Sequence, residues 1–286
     1  MKPILFPGLG LSLDINNVAF NIFGKDIYWY GIIITCGMLL AMLLAKHDKK
    51  KYGISWDDIT SFFVWAIIVG IISARIYYVI FKWDYYSQNL SEIIKIWHGG
   101  IAIYGGIIGA LITAVIFCKY KKVSFLNLCD FCAPYLALAQ SIGRWGNFVN
   151  REAFGEVTNS FFRMGIFDEK LGEYIFVHPT FLYESLVTLS IFIILSLVKK
   201  KECFKGQIFY LYMVLYGIGR FFVEGIRTDS LMLGTCRVSQ ILALILAITF
   251  SAIYIYSLRK KEKNVENKKY KTLTTYVINA YNINIK

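Results

Sequence analysis

Long apolar stretches recur along almost the whole sequence and are separated by short polar or basic segments. A helix needs about 20 consecutive, mostly apolar residues to cross a hydrocarbon core about 30 Å thick. The pattern therefore predicts an all-α polytopic integral membrane protein with about seven transmembrane helices. We place the predicted spans at residues 27–45, 59–80, 101–118, 126–146, 179–198, 207–223 and 238–257.

The composition agrees with a membrane protein rather than a soluble one. Of the 286 residues, 57% are hydrophobic and 17% are charged, whereas soluble domains contain about 25% charged residues. The formal net charge of +12 raises the question of a nucleic-acid partner, but no basic stripe lies on a soluble module. Nucleic acid is therefore not expected as a partner.

The positive charges lie in alternate loops, which predicts the orientation in the membrane. Lysines concentrate between spans one and two, three and four, and five and six, and after span seven. By the positive-inside rule these segments face the cytoplasm, so the N-terminus lies outside. Residues 1–259 then form one transmembrane domain in which 150–178 is a small outer-face head segment. Residues 260–286 form a basic cytoplasmic tail without a helical stripe.

Ionisable residues in and beside the spans gather toward the predicted outer face. Each costs about 2.5–3.5 kcal/mol near a helix centre, so their presence calls for a reason. A single residue of this kind is often part of a structural ion pair, but the set as a whole predicts a site. Arg220, Glu224 and Arg227 also follow i, i+4, i+7 spacing, which predicts one helical face. The other members are Arg75, Arg144 and Glu184 near span ends, and His98, Glu152 and His178 in outer segments.

A glycine-rich stretch opens the third predicted span and contains the pairs Gly99-Gly100 and Gly105-Gly106. Gly105 and Gly109 form a G-x-x-x-G pattern, which predicts close packing against another helix. Two glycine pairs also indicate a bent or re-entrant start to the span, which is tolerated where backbone lines a cavity.

The most specific stretch is GRWGNFVNREAFG at residues 143–155, where an apolar span ends in polar residues. Hydrophobic periodicity does not explain this sequence. We expect it to place the Arg144 guanidinium, the Asn147 carboxamide and free backbone N–H groups at headgroup depth. These are donors that bind phosphate, so the stretch predicts handling of an anionic lipid.

The sequence resembles the bacterial prolipoprotein diacylglyceryl transferase family. The GRxGNFxN…E..G pattern at 143–155 is similar to that family's signature, and the likeness covers roughly residues 10–257. The other motifs that carry it are Trp29-Tyr30-Gly31, Ala74 to Tyr78, WxGG…GG at 97–106, Asp130 to Pro134, His178 to Glu184 and 220–229. Family members often have a histidine, proposed as a catalytic base, immediately before the second glycine pair, where this sequence has Tyr104.

The resemblance implies a phosphatidylglycerol–prolipoprotein diacylglyceryl transferase in the bacterial cytoplasmic (inner) membrane. Such an enzyme moves an sn-1,2-diacylglyceryl group from phosphatidylglycerol to the lipobox cysteine thiol of a preprolipoprotein signal peptide. A thioether forms and glycerol 1-phosphate is released. The chemistry needs a thiolate nucleophile and cations facing the departing phosphate, whereas no cofactor or metal is expected.

The implied site lies near the outer face. Arg144 and Arg220 are expected to hold the phosphate, because a guanidinium offers bidentate geometry that lysine cannot copy. Glu152 and Glu224 are expected to orient arginines rather than act as bases, because a carboxylate beside an arginine keeps a low pKa. Tyr30, Asn147 and Gly155 complete the predicted phosphatidylglycerol-binding set.

The acceptor of the thiol proton stays open between His98, Tyr104 and water. We rank His98 above Tyr104 on intrinsic pKa, about 6.5 against about 10. His98 precedes the first glycine pair, so its position is not that of the family histidine.

A transporter or flippase for an anionic lipid is the alternative function. It would also need arginine and glutamate inside the membrane, together with sequence repeats and polar residues near the bilayer midplane. Neither feature is evident in the sequence. A purely structural membrane subunit would leave the stretch at 143–155 unexplained.

Overall fold

The computed structural model describes residues 2–280, without the side chains of residues 49, 50, 268–272 and 274–280. Within this range the chain is mostly helical, and each of the seven predicted spans is a helix. We number these helices in chain order. They are α1 (Trp29–Ala45), α2 (Trp56–Phe81), α3 (Ile103–Lys121), α4 (Phe125–Asn150), α5 (Thr180–Val198), α6 (Gln207–Glu224) and α7 (Val238–Ala280).

Five of the described helices are long and apolar enough to cross a membrane, which supports a multi-pass membrane protein. They are Trp29–Asp48, Trp56–Phe81, Ile103–Lys121, Thr180–Lys201 and Val238–Asn267. The two helices outside this group, α4 and α6, contain the polar residues Arg144, Asn147, Arg220 and Glu224. A count of seven spans therefore stays a prediction.

The expectation of an all-α fold needs correction, since short antiparallel strands flank the helices. The sheets have the orders β2-β1-β5-β6, β3-β4 and β7-β8. None of these strands exceeds five residues, so alternation of polar and apolar positions is too short to reveal them. The strands are β1 (Ile4–Phe6), β2 (Leu11–Leu13), β3 (Val18–Ile22), β4 (Lys25–Tyr28), β5 (Met164–Asp168), β6 (Glu173–Val177), β7 (Met232–Leu233) and β8 (Cys236–Arg237).

The predicted head segment at 150–178 folds together with the N-terminus. Strand β5 pairs with β6 and, through Leu5 and Gly165, with β1. Apolar residues of this sheet share one buried cluster with Phe148 and Val149 of α4 and Phe181 of α5. This packing fixes the end of α4, where the signature stretch lies. The location of the segment on the outer side of the membrane stays a prediction.

The chain divides into two compact units. Unit 1 comprises Met1–Leu39 and Ala133–Lys286, and unit 2 comprises Leu40–Cys132. In unit 1, α6 packs against α5 and α7; in unit 2, α2 packs against α3. A Cβ on Gly105 would lie 2.5 Å from the Ser73 carbonyl oxygen, and one on Gly109 would lie 2.7 Å from that of Val69. The predicted G-x-x-x-G packing is thus confirmed. The domain bounds predicted from the sequence stay predictions.

Helix α7 continues through the first part of the predicted basic tail. Residues 260–280 belong to the same helix as the last apolar segment, although no apolar stripe predicted it. The stretch 238–280 has no glycine or proline. Its last part, 260–280, contains six lysines and two glutamates, which favour helices. Residues 281–286 of the predicted tail lie outside the described residues.

Candidate active site

The signature stretch is helical over most of its length. Residues 143–150 form the last two turns of α4, so their backbone N–H groups are not free for phosphate as we expected from the sequence. The helix ends because Arg151 and Ala153 adopt left-handed φ values of 54° and 56°. The backbone N–H of Glu152 donates to the Asn147 carbonyl oxygen at 3.0 Å. Residues 143–150 of the stretch therefore contribute side chains.

Three arginines from different segments of unit 1 meet on one buried carboxylate, Glu184 in the first turns of α5. Its Oε2 atom lies 2.5 Å from Arg144 Nη2 and 3.0 Å from Arg220 Nη1. Its Oε1 atom lies 2.9 Å from Arg227 Nη1. The Glu184 side chain is only 6% exposed. We call Arg144, Arg220, Arg227 and Glu184 the arginine cluster.

Two more carboxylates balance the charge of the arginine cluster. Arg220 Nη2 lies 2.5 Å from Glu224 Oε2, and Arg227 donates to both Asp229 oxygens at 3.0 and 2.8 Å. Burial acts to raise the pKa of Asp229, but the hydrogen bonds and charge of Arg227 outweigh it and hold the pKa below its usual value. Glu224 thus contacts Arg220, as we expected. Helix α6 ends at Glu224, so the predicted helical face does not extend to Arg227.

Arg144 links the cluster to the polar side chains at the end of α4. Its Nη1 atom donates to Asn147 Oδ1 at 3.3 Å, and Asn147 Nδ2 donates to Glu152 Oε1 at 2.8 Å. The expectation that Glu152 orients an arginine directly therefore needs correction. Glu152 fixes the carboxamide that contacts Arg144.

A cavity of about 910 Å³ lies beside this chain of hydrogen bonds, within unit 1. Tyr30 and Glu152, both predicted lipid-binding residues, are in its wall. The wall is polar where the β3–β4 hairpin and the end of α4 meet, and mostly apolar along α1. The other lining residues are Asn17, Asp26, Ile27, Tyr28, Gly31, Ile32, Thr35, Cys36 and Asn150. Such a wall suits a ligand with one polar end and one apolar end.

Gly155 has a packing role that explains its place in the signature. Its N–H donates to the His178 carbonyl oxygen at 3.0 Å, and its backbone bridges to Arg227. A Cβ at this position would lie 2.8 Å from His178 Cβ and 2.9 Å from the Ile226 carbonyl oxygen. Only glycine fits there without displacing the segment that carries Arg227. A direct contact of Gly155 with lipid stays a prediction.

Comparison with known proteins identifies the family. Residues 17–256 match the sequence profile described as "Prolipoprotein diacylglyceryl transferase". The chain belongs to this family. A relative from Finegoldia magna is 52% identical over 248 residues, covering 86% of this chain and 97% of the relative. A relative from Clostridioides difficile is 46% identical over 250 residues, covering 87% and 98%. Both are named "Phosphatidylglycerol--prolipoprotein diacylglyceryl transferase".

In this member of the prolipoprotein diacylglyceryl transferase family, the two candidate bases lie in unit 2. They are His98 and Tyr104. His98 is 55% exposed and its Nδ1 atom lies 2.8 Å from Glu92 Oε2. Glu92 also accepts a hydrogen bond from Lys95, and the hydrogen bonds of Lys95 and His98 lower the pKa of its carboxyl. Tyr104 is 45% exposed, and its nearest aromatic neighbour is Tyr77. A role for either residue as base stays a prediction.

Arg75, which belongs to the predicted set of ionisable residues near span ends, has a structural role in unit 2. Its side chain is buried and donates to carbonyl oxygens, including those of Gly99 and Gly100 at 2.7 Å each. Gly99 and Gly100 adopt φ values of 84° and 76°, which side chains disfavour. The predicted bend is found at this first pair, whereas Gly105 and Gly106 lie inside α3.

The catalytic and lipid-binding residues predicted from the sequence did not include two members of the arginine cluster. The two are Glu184 and Arg227. The signal for Glu184 was a carboxylate at the start of an otherwise apolar helix. Sequence spacing pointed to Arg227, but only as part of a helix that ends before it. Neither signal says which arginines share a carboxylate.

Two glycines in α4 provide a matched test of the site. A Cβ on Gly146 would lie 2.7 Å from Tyr30 Cδ2, whereas one on Gly143 would have Ile34 Cγ1 at 3.9 Å as its nearest contact. We expect Gly146→Ala to displace the Tyr30 ring at a cost of about 1–3 kcal/mol and to lower transferase activity. Gly143→Ala is the control and should keep activity, since alanine favours a helix. Equal activity in the two variants would contradict a positioned Tyr30.

Proposed function

We propose that the chain transfers an sn-1,2-diacylglyceryl group from phosphatidylglycerol to the lipobox cysteine of a preprolipoprotein signal peptide. The cysteine thiolate attacks the glyceryl carbon, a C–S bond forms, and the C–O bond to the phosphate breaks. Glycerol 1-phosphate leaves with the electron pair. Family membership over residues 17–256 and the names of the relatives support this reaction.

The observation that carries the proposal is the meeting of three guanidinium groups on Glu184. Hydrogen bonds through Asn147 link one of them, Arg144, to Glu152 in the wall of the cavity. The departing phosphate gains negative charge, and preorganised cations in a water-poor site stabilise that charge more than water does. Arg144 is the most exposed of the cluster arginines, at 24% against 18% for Arg220 and 10% for Arg227. Arg144 is therefore the arginine best placed to reach a bound phosphate.

The carboxylates of the cluster serve to hold the arginines in place. Each arginine of the cluster contacts Glu184, and Arg220 and Arg227 have a second carboxylate partner. Fixed guanidinium groups do not need to reorganise when charge develops, which is the source of their catalytic value. Tyr30, Asn147, Glu152, Gly155 and Glu224 are proposed to position the phosphatidylglycerol around them.

For the membrane arrangement, we propose seven spans in the cytoplasmic membrane, with the N-terminus outside and the C-terminus in the cytoplasm. The basic loops support this orientation. Helices α4 and α6 would cross the bilayer despite their polar residues, because these residues pair with one another rather than face lipid. The site would then lie near the outer face, where signal peptides emerge.

A direct assay tests the proposed function. The purified chain is incubated in detergent with phosphatidylglycerol and a lipobox peptide, and peptide mass and released glycerol phosphate are followed. We expect a diacylglyceryl mass gain matched by glycerol phosphate release, and loss of both in Arg144→Ala. Full activity in Arg144→Ala would contradict the phosphate-binding role of that residue. If folded wild-type protein left the peptide unmodified, the proposed transferase activity would be contradicted. The alternative function, a lipid transporter, would then be tested.

The proton acceptor is tested by two single variants. If His98 takes the thiol proton, His98→Ala should lower the rate by about 10²-fold or more at neutral pH, and Tyr104→Phe should have little effect. The measurement is the initial rate of peptide modification across pH 6–9. Normal rates in His98→Ala exclude that histidine, and normal rates in both variants indicate that water takes the proton.

A further inference from the structure

Unit 2 contains a second cavity, of about 320 Å³, which shares only His98, a candidate proton acceptor, with the proposed transfer reaction. It is formed by the end of α2 and the loop that follows. The lining residues are Arg75, Tyr78, Lys82, Tyr85, Tyr86, Glu92, His98, Gly99 and Gly100. We call it the Lys82 cavity. Its volume lies at the lower end of the about 300–1,000 Å³ of small-ligand sites.

The Lys82 cavity has an excess of positive charge. Arg75 and Lys82 are basic side chains, and the one carboxylate in the wall, Glu92, is already shared by Lys95 and His98. The described hydrogen bonds of Arg75 all go to backbone carbonyl oxygens, at distances from 2.6 to 3.5 Å. These bonds satisfy its N–H groups but leave its charge without a carboxylate partner. An anionic ligand would supply that partner.

The cavity also presents donors that have no partner in the described part of the chain. No described side chain forms a hydrogen bond or ion pair with Lys82, and the same holds for the hydroxyls of Tyr78, Tyr85 and Tyr86. The rings are nevertheless held in place, because Tyr86 stacks edge to face with Tyr85 and Arg75 lies 5.1 Å above the Tyr86 ring. The residues that line the cavity thus carry one ammonium and three phenol hydroxyls, which are donors of the kind that a phosphate accepts.

We propose that the Lys82 cavity binds a phosphate group. Two sources share this chemistry, the phosphodiester of an anionic lipid headgroup and a free phosphomonoester such as glycerol 1-phosphate. Lys82 immediately follows α2, a candidate membrane span, so either ligand would meet it at the membrane surface. The proposal does not depend on the transfer reaction, since the residues that carry it have no assigned role there. They are Arg75, Tyr78, Lys82, Tyr85 and Tyr86.

The lipid source is tested by native mass spectrometry of the full chain in detergent. Bound phosphatidylglycerol is counted against phosphatidylcholine for the wild type, Lys82→Gln and Tyr85→Phe. Lys25→Gln is the control, since Lys25 lies on β4 in unit 1 and lines no part of the cavity. If the ligand is a lipid headgroup, Lys82→Gln should retain phosphatidylglycerol about tenfold more weakly, Tyr85→Phe should be intermediate, and Lys25→Gln should match the wild type.

The free-phosphate source is tested in nanodiscs that contain only phosphatidylcholine. Glycerol 1-phosphate is titrated by calorimetry without any lipobox peptide, so the result is independent of transfer. If Lys82→Gln and Tyr85→Phe bind glycerol 1-phosphate more weakly but retain phosphatidylglycerol like the wild type, the ligand of the cavity is a free phosphomonoester. Unchanged binding of both ligands in both variants overturns the proposal. Both side chains are exposed, and equal thermal unfolding of variants and wild type confirms that the fold is intact.

Discussion

Replacing Arg144 with lysine is expected to lower the rate of diacylglyceryl transfer by about 10²–10³-fold. Arg144 contacts Glu184 through Nη2 and Asn147 through Nη1, so its two ends are held by different helices. A lysine ammonium keeps the charge but cannot make both contacts in the plane of a guanidinium. The loss should appear in kcat as well as in KM, because the interaction with phosphate is strongest when the leaving group carries its full charge.

Arg163→Lys is the matched control for this prediction. Arg163 also lies in unit 1, and it donates to the carbonyl oxygens of Asn159 and Ser160 rather than to the arginine cluster. We expect it to retain wild-type rates and abundance. The comparison uses initial rates in phosphatidylglycerol micelles at equal amounts of folded protein. If Arg144→Lys were as active as Arg163→Lys, charge alone would suffice and the bidentate role would be wrong.

Replacing Glu184 with glutamine is expected to have the second large effect, on both stability and activity. Glu184 is the carboxylate that all three arginines share, and Arg144 has no other carboxylate contact among the described ion pairs. Removing one partner of a buried ion pair costs about 3–5 kcal/mol, because the remaining charge stays buried without compensation. Arg220 and Arg227 keep Glu224 and Asp229, so the largest displacement should occur at Arg144.

Glu156→Gln separates this effect from a general loss of acidic charge. Glu156 forms an ion pair with Arg237 at 2.9 Å, but its side chain is 58% exposed. An exposed pair contributes about 0–1 kcal/mol, so this variant should unfold like the wild type. The measurements are thermal unfolding in detergent and the transfer rate. Wild-type unfolding and wild-type rates in Glu184→Gln would show that the cluster is not organised by this carboxylate.

The positions of the seven long helices could be predicted from the sequence, because an apolar run of about 20 residues is a long and repeated signal. The structure also confirms the close packing around Gly105 and Gly109. This packing could be predicted because small residues four apart let another helix approach the backbone closely. The short strands could not be predicted. A strand such as β1 has three residues, and its pairing with β5 joins segments about 160 residues apart, a contact that no local pattern encodes.

The site was predicted in part. The stretch at 143–155 and the residues Arg220 and Glu224 predicted phosphate chemistry, which stays a proposal, and the family resemblance drawn from these motifs is confirmed. Glu184 was among the ionisable residues that predicted a site, but its central position was missed, because the sequence does not show which arginines a carboxylate contacts. The expectation of free backbone N–H groups was wrong for residues 143–150, since α4 continues to Asn150.

The sequence by itself determined which residues are apolar, which are charged, and therefore which segments are helices and which family the chain belongs to. These properties depend on local composition and on motifs that can be read in order. Only the tertiary structure decided that Arg144, Arg220 and Arg227 share Glu184, and that Glu152 reaches Arg144 through Asn147. The physical reason is that ion pairing depends on distances of a few ångströms between segments that packing brings together, and helix packing and chain reversals set those distances.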